Sequence, residues 1–283
     1  APTVFGSTDS TTGEWKINSS PSFTLGTNGF TILKDGHTYT DQSSNSNNWT
    51  LVGTITKTED NPSNNFATLT PSGQYIGSAT LSNGNTSFAC GSSQTGRAMT
   101  TIRPSSGKYY CEYKITNASR FQIGIMNETE TFSSQGGSDT NSAILGYEGK
   151  IYYNNSLTGV YGSSSFSNGD IIMVAIDCDN DLAWLGKHGS WFNSATATEI
   201  QNATATNSFT TFISSQNPMS GQVAIFVEDN SGTGSHDGSF NFGNGYFGTT
   251  AVSSAGTNAS GFGIFEYDVP TGYTALCTKG LNE

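Results

Sequence analysis

Positive charge is scarce in this chain, with 11 Lys and Arg against 22 Asp and Glu in 283 residues and a formal net charge of -11. Binding to a nucleic-acid backbone requires clustered cations that displace counterions, so nucleic acid is excluded as a partner. Attraction to an anionic membrane surface fails on the same ground. Long apolar runs are also missing. The longest is Ile171–Ile176, far short of the roughly 20 residues that cross a bilayer, and no membrane insertion is expected. Leu, Glu, Lys and Arg are few, which removes the usual material of helices. The four cysteines, Cys90, Cys111, Cys178 and Cys277, form no C-x-x-C pair and lack zinc-site spacing. Cys111 and Cys178 sit inside apolar strand patterns and read as buried thiols, with a disulfide left open.

What is present favours strands. The chain is 34% hydrophobic and 12% aromatic, enough apolar area to fold, and its 34 glycines join many Asn and Ser in supplying turns. From about residue 61 the strand signals are regular. Over Lys108–Ile115, Tyr109, Cys111, Tyr113 and Ile115 fall on one face, and Tyr110, Glu112 and Lys114 on the other. Ala143–Tyr147 and Lys150–Tyr153 flank Glu148-Gly149, a hairpin signal. Ile171–Asp177 reads as a strand buried on both faces. At least ten short strands, with no helix evident, predict an antiparallel β-sandwich of the jelly-roll type. Residues 1–60 are polar and turn-rich, with isolated aromatics such as Trp15, Phe30 and Trp49. They lack the apolar density for a core and read as an extended N-terminal segment for docking or inter-subunit contacts, ahead of a sandwich over 61–283. Trp49 ends an Asn/Ser-rich loop and is expected to dock on a larger surface. The Ala1-Pro2 start, with no Met and no signal peptide, suggests a piece of a longer polypeptide.

The strand order resembles the SPRY domain, a concanavalin-like sandwich. The resemblance rests on Gly107-Lys108-Tyr109-Tyr110-Cys111-Glu112-Tyr113, on Phe121–Ile125 and Gly146–Tyr153, and on Asn168–Asp177 followed by Leu182–Trp191. It closes with Phe240–Gly243 and Pro270–Leu276, so that it covers residues 62–279. The N-terminal segments Phe5–Lys16, Gly26–Phe30, Asn45–Thr50 and Glu59–Leu69 are similar to segments of marine bacteriophage structural proteins, in which a SPRY domain follows the same lead-in. These resemblances imply a virion protein of tail-fibre or capsid-associated type, located on the surface of the extracellular particle. SPRY domains bind partners through variable loops and have no family-wide catalytic residues, so no ligand residue carries over by motif.

Candidate chemistry is thin. Asp177, Asp179 and Asp181 resemble the start of a calcium loop, but Leu182 and His188 stand where Gly and Glu are required, and a strand-end turn is the better reading. Of the three histidines, His37, His188 and His236, the last two lie in a tight turn and a Gly-rich tract (Ser231–Gly238) and read as exposed turn residues. No Gly-x-Ser-x-Gly elbow accompanies them. Glu112, Glu128, Glu130, Glu148, Asp177 and Glu228 are available for glycoside hydrolysis, but no local signature pairs two of them. No catalytic residue, metal or cofactor is therefore expected. Aromatics near turns are the better lead, because sugar rings stack on Tyr and Trp while nearby polar groups take their hydroxyls. Tyr147, Tyr152, Tyr153, Tyr161 and Trp191 are the candidate ligand-binding residues, with core or inter-subunit packing as the alternative role for each. Tyr152 and Tyr153 are adjacent on a strand, so one must face away from the core.

The function expected is that of a non-enzymatic virion structural protein with a SPRY-type domain that recognises a host-surface receptor or glycan. The alternatives are a purely structural decoration or assembly subunit and, less favoured, a polysaccharide depolymerase. Expected partners are other virion proteins, a host-surface glycan or receptor, and further copies of the chain in a homo-oligomer.

Overall fold

The computed structural model describes all residues except 1, 12, 14, 19–20, 33–38, 54–58, 61–63, 71–78, 93, 131–134, 163–164, 230–232 and 283. His37 and part of the Gly-rich tract at 231–238 lie outside the described residues. The chain divides into two units, residues 1–57 and 58–283.

In the first unit, Gly6–Thr8 pairs antiparallel with Trp15–Ile17. Among its described residues only Gly6 is buried, so apolar burial does not hold it together. Hydrogen bonds do so instead. The Asp41 carboxylate accepts the backbone N–H groups of Thr31 (2.8 Å), Ser43 (2.9 Å) and Asn47 (2.7 Å). The side-chain amides of Asn45 and Asn47 donate back to the carbonyls of Gly26, Thr27 and Gly29. The Thr31 bond, with the Ser43 and Asn47 donors, holds the Asp41 carboxyl down at about 2 against some desolvation. Trp49 docks edge-on against Phe30, 5.0 Å between ring centroids, and stays half exposed.

The second unit is the antiparallel sandwich predicted. One sheet has seven strands in the order Ser156–Val160, Lys150–Tyr153, Ser142–Gly146, Gln122–Met126, Ala224–Asp229, Gly96–Thr100, Leu69–Thr70. The other runs Ser190–Trp191, Leu182–Lys187, Ile171–Asp177, Lys108–Asn117, His236–Asn241, Ser87–Cys90, Thr80–Ser82, and Thr274–Ala275 adds in parallel beside Lys108–Asn117. The inward faces meet in one core that includes Tyr109, Cys111, Tyr113 and Ile115 from one sheet and Ile123, Ile125, Leu145 and Ile225 from the other. Ile171–Asp177 is buried along its whole length, as a strand between two neighbours and two covered faces must be. The cysteines are buried.

The outward faces are covered too. Tyr110 packs edge-to-face on Phe265 at 5.0 Å, and the buried Glu112 carboxylate accepts the backbone N–H groups of Glu266 (2.9 Å) and Tyr267 (2.8 Å). On the seven-stranded sheet, Met99, Met126, Ile144, Ala224 and Phe226 form a second apolar cluster. Beside it the buried Arg97 guanidinium pairs with Glu228 (Nε to Oε2 2.6 Å), which also accepts the Gly136 N–H. Burial raises the Glu228 carboxyl, and the Arg97 charge opposes that rise.

Two sequence expectations are corrected. The segment after Trp191 contains one-turn helices at Ala197–Gln201 and Phe209–Phe212. Thr196 caps the first: Glu199 N–H donates to its side chain, and the Glu199 side chain accepts the Thr196 N–H in return. One turn is too short to show a 3.6-residue apolar period, so only the T-x-x-E spacing signals it. His236 is buried rather than exposed, because the strand begins with it and turns its ring into the core between Phe88, Tyr113 and Phe121.

Candidate functional site

The hairpin that carries three of the four candidate tyrosines is built by a three-residue turn. The ladder starts with Leu145 opposite Ile151, and Gly149, at φ 74, donates its N–H to the Gly146 carbonyl at 2.8 Å. A left-handed residue after a tight turn is the usual closure of such a hairpin, and glycine takes it without strain. The register then decides which tyrosine faces out. Tyr152 opposes Ile144 and packs on the outer apolar cluster, whereas Tyr153 opposes Ala143 and packs against the main core. A second glycine makes room on the outer side: Gly137, at φ 79, crosses so close to Tyr152 that a Cβ there would lie 2.1 Å from its carbonyl oxygen.

Tyr147 and Tyr152 line one open groove of about 280 Å³ on the outer face of the seven-stranded sheet. Arg120, Gln122, Gln135, Glu148 and Lys150 supply its polar lining, and Ile144 and Leu157 its apolar lining. Arg120 lies over the Tyr147 ring, 4.9 Å from its centroid, and donates from Nη1 to the Tyr147 hydroxyl at 2.5 Å. Its Nε and Nη2 donate to the carbonyl (2.7 Å) and hydroxyl (2.9 Å) of Thr233. Three bonds and a stacked face fix this guanidinium before any ligand arrives. The Tyr152 hydroxyl donates to Asn155 at 2.5 Å. Gln122 Oε1 is buried and accepts no hydrogen bond, which is costly unless a donor is supplied. The lining of aromatic faces, amides and charges suits a sugar, with ring C–H groups on tyrosine and hydroxyls on the amides.

The other candidates fall elsewhere. Trp191 is half-buried, edge-on to Tyr110 at 6.3 Å, and lines a different groove with Gln201, Tyr267 and Asp268. Tyr161 is corrected: it is fully buried, enclosed by Phe192, Phe209 and Phe212, and its hydroxyl donates to the Asn207 carbonyl at 3.3 Å. The helical segment that buries it was the part of the sandwich not visible in the sequence. Arg120, Gln122 and Lys150 are site residues that the sequence reasoning missed. The polar Gln122 ahead of inward Ile123 and Ile125 was the available sign of an outward position.

Of the six carboxylates considered for hydrolysis, Glu148 alone lines the tyrosine groove, while Glu112, Glu130, Asp177 and Glu228 are buried. Asp177 caps the turn that follows it, accepting the N–H groups of Asp179 and Asn180, and pairs with Lys108 at 3.2 Å. His188 sits in its tight turn at φ 51, between the Tyr267 hydroxyl (2.9 Å) and Asp170 (3.0 Å).

No family model and no curated protein matches this chain. Among solved structures it is similar to the SPRY domain of human HERC1, at 17% identity and a TM-score of 0.43, covering 57% of this chain and 91% of that one. Stonustoxin is similar at the same identity and TM-score, over 62% of this chain and 27% of its own. The β-sandwich itself is established by the two sheets described above.

Proposed function

We propose that this chain is a non-enzymatic binding module on the surface of a bacteriophage particle, recognising a glycan or glycan-bearing receptor on the host. The observation that carries the binding role is the groove in which Tyr147 and Tyr152 converge with a fixed Arg120 and with the Gln122 and Lys150 side chains. The virion setting is supported by the resemblance of the N-terminal segments to those of phage structural proteins in which a SPRY domain follows. A non-catalytic role is supported by the groove lining, which among the described residues holds one carboxylate where glycoside hydrolysis uses two. Several copies on one particle raise weak single-site binding to useful avidity.

The test is titration of the intact chain against a broad panel of microbial surface glycans, with reducing-end release assayed in the same wells. Saturable binding without release, weakened by Tyr152→Leu, is expected. Release of sugar would overturn the non-enzymatic reading, and no binding to any glycan would overturn the receptor role.

A second reading, an assembly subunit, is favoured by a specific observation. Seven of the eleven exposed large apolar side chains among the described residues lie in the first unit: Phe5, Trp15, Phe23, Phe30, Trp49, Leu51 and Val52. So dense an exposed apolar set supports this reading, since such patches serve contacts with other proteins or with further copies of a chain. Sedimentation of the intact chain beside a Trp49→Ser, Val52→Ser variant tests it, with loss of a wild-type oligomer expected and an unchanged mass counting against it.

A further inference from the structure

We infer that the ligand of the tyrosine groove is an acidic sugar, a uronate-type residue whose ring lies on Tyr152 and whose carboxylate meets Arg120 and Lys150. The inference rests on the glycan-binding reading above and narrows it.

Charge distribution is the first argument. Residues 58–283 contain eight Lys and Arg against eighteen Asp and Glu, so the sandwich is strongly acidic. Three of its eight cations are committed to acids elsewhere: Arg97 is buried against Glu228, Lys108 is paired with buried Asp177, and Lys187 with Asp170. The groove nevertheless gathers two cations, Arg120 and Lys150, around one acid, Glu148. A locally positive groove on an anionic domain focuses field lines on an anion, and a ligand offering only hydroxyls gains nothing from it.

The second argument is the state of those cations. A guanidinium has five N–H donors; three of Arg120's are used to hold it against Tyr147 and Thr233, and two remain on a group whose position is already fixed. Ordering a long side chain is a principal cost of binding, and here it is met by the fold. Lys150 is held only loosely, 3.8 Å from Glu148 with both side chains well exposed. Such a surface pair is worth little and yields readily to a carboxylate that arrives with its own contacts. Beside the cations, half-buried Tyr152 and exposed Leu157 offer the apolar surface on which a pyranose ring rests.

The test uses the intact chain and calorimetric titration with oligogalacturonate, oligoglucuronate and oligomannuronate, each beside its fully methyl-esterified form, and with a sulfated galactan oligosaccharide. Esterification removes the charge and keeps the ring, so at least one uronate is expected to lose about tenfold in affinity on esterification, the worth of one charge-assisted hydrogen bond. Lys150→Met is expected to weaken uronate binding by a similar factor and the esterified form by much less, whereas Tyr152→Leu weakens both alike. Equal binding of charged and esterified forms, still weakened by Tyr152→Leu, would overturn the acidic ligand and keep the glycan site. A preference for acid that survives both substitutions places the anion elsewhere and overturns the assignment. Tighter binding of the sulfated sugar overturns the carboxylate, and no saccharide binding at all removes this inference together with the reading beneath it.

Discussion

Two buried groups on opposite faces of one sheet give the fold pH dependences of opposite sign. Glu112 faces outward under the 265–267 segment, where its carboxylate accepts the Tyr110 hydroxyl (3.0 Å), the N–H groups of Glu266 and Tyr267, and the Asn241 amide. Burial nevertheless outweighs these donors and pushes it up to about 7 from 4.5. His236 faces inward, with Nδ1 2.9 Å from the Glu228 carbonyl and Nε2 2.9 Å from the Tyr113 hydroxyl. A carbonyl only accepts, so Nδ1 carries the proton and Nε2 accepts from tyrosine. Burial pushes this imidazole down to about 4 from 6.5, against the pull of the Glu228 carbonyl.

The signs follow from which state holds more protons. Above pH 4.5 unfolded Glu112 has lost its proton while the folded residue keeps it, so its contribution is full below 4.5 and is lost as pH rises through about 7. Below pH 6.5 unfolded His236 gains a proton that the folded residue refuses, so its contribution is full above 6.5 and is lost as pH falls through about 4. Each slope is about 1.4 kcal/mol per pH unit, each total on the order of 3 kcal/mol, and between pH 4.5 and 6.5 the two cancel. Denaturant unfolding followed by tryptophan fluorescence from pH 4 to 8 measures this. Relative to wild type, His236→Gln is expected to become progressively more destabilised as pH rises from 4 to 6.5. Glu112→Gln is expected to become progressively less destabilised as pH rises from 4.5 to 7. Differences that run parallel across pH, or that share a sign, would refute the reasoning.

Removing Arg97 leaves a buried carboxyl with only the Gly136 N–H, so Arg97→Met is expected to cost about 3–5 kcal/mol in urea unfolding at neutral pH, and a loss below 1 kcal/mol would contradict it. Thr196→Ala deletes half of a capping box and is expected to cost about 1 kcal/mol, measured in the same way, with no effect on glycan binding. In the first unit, Asp41→Ala removes the acceptor of three backbone N–H groups. The amides of Thr31, Ser43 and Asn47 are expected to lose protection in hydrogen exchange while strand amides of the sandwich keep theirs.

The architecture was legible where a residue's neighbours in sequence are also its neighbours in effect. The alternation of Tyr109, Cys111, Tyr113 and Ile115, the continuous run at Ile171–Asp177, and the glycine after Glu148 each state a local rule of strands and turns, and each appears as written. Tyr147 and Tyr152 were picked out by the same local reasoning, a place near a turn and a forced outward face. Chemistry that depends on what lies across the fold was not legible. That Tyr152 rather than Tyr153 faces out follows from pairing with Ile144, and that Tyr161 is interior follows from helices contributed by residues some forty to fifty positions later. His236 looked exposed because glycines precede it, yet the strand it opens points its ring into the core.

Composition and periodicity by themselves determined an all-β chain and its turns. The tertiary structure alone decided which side chains meet: Arg120 on Tyr147 from an adjacent strand end, Lys150 across the same hairpin, Glu112 beneath a segment some 150 residues away. Period-2 alternation assigns a residue to a face, but burial, charge state and reach depend on what packs over that face, which is a long-range property of the folded chain.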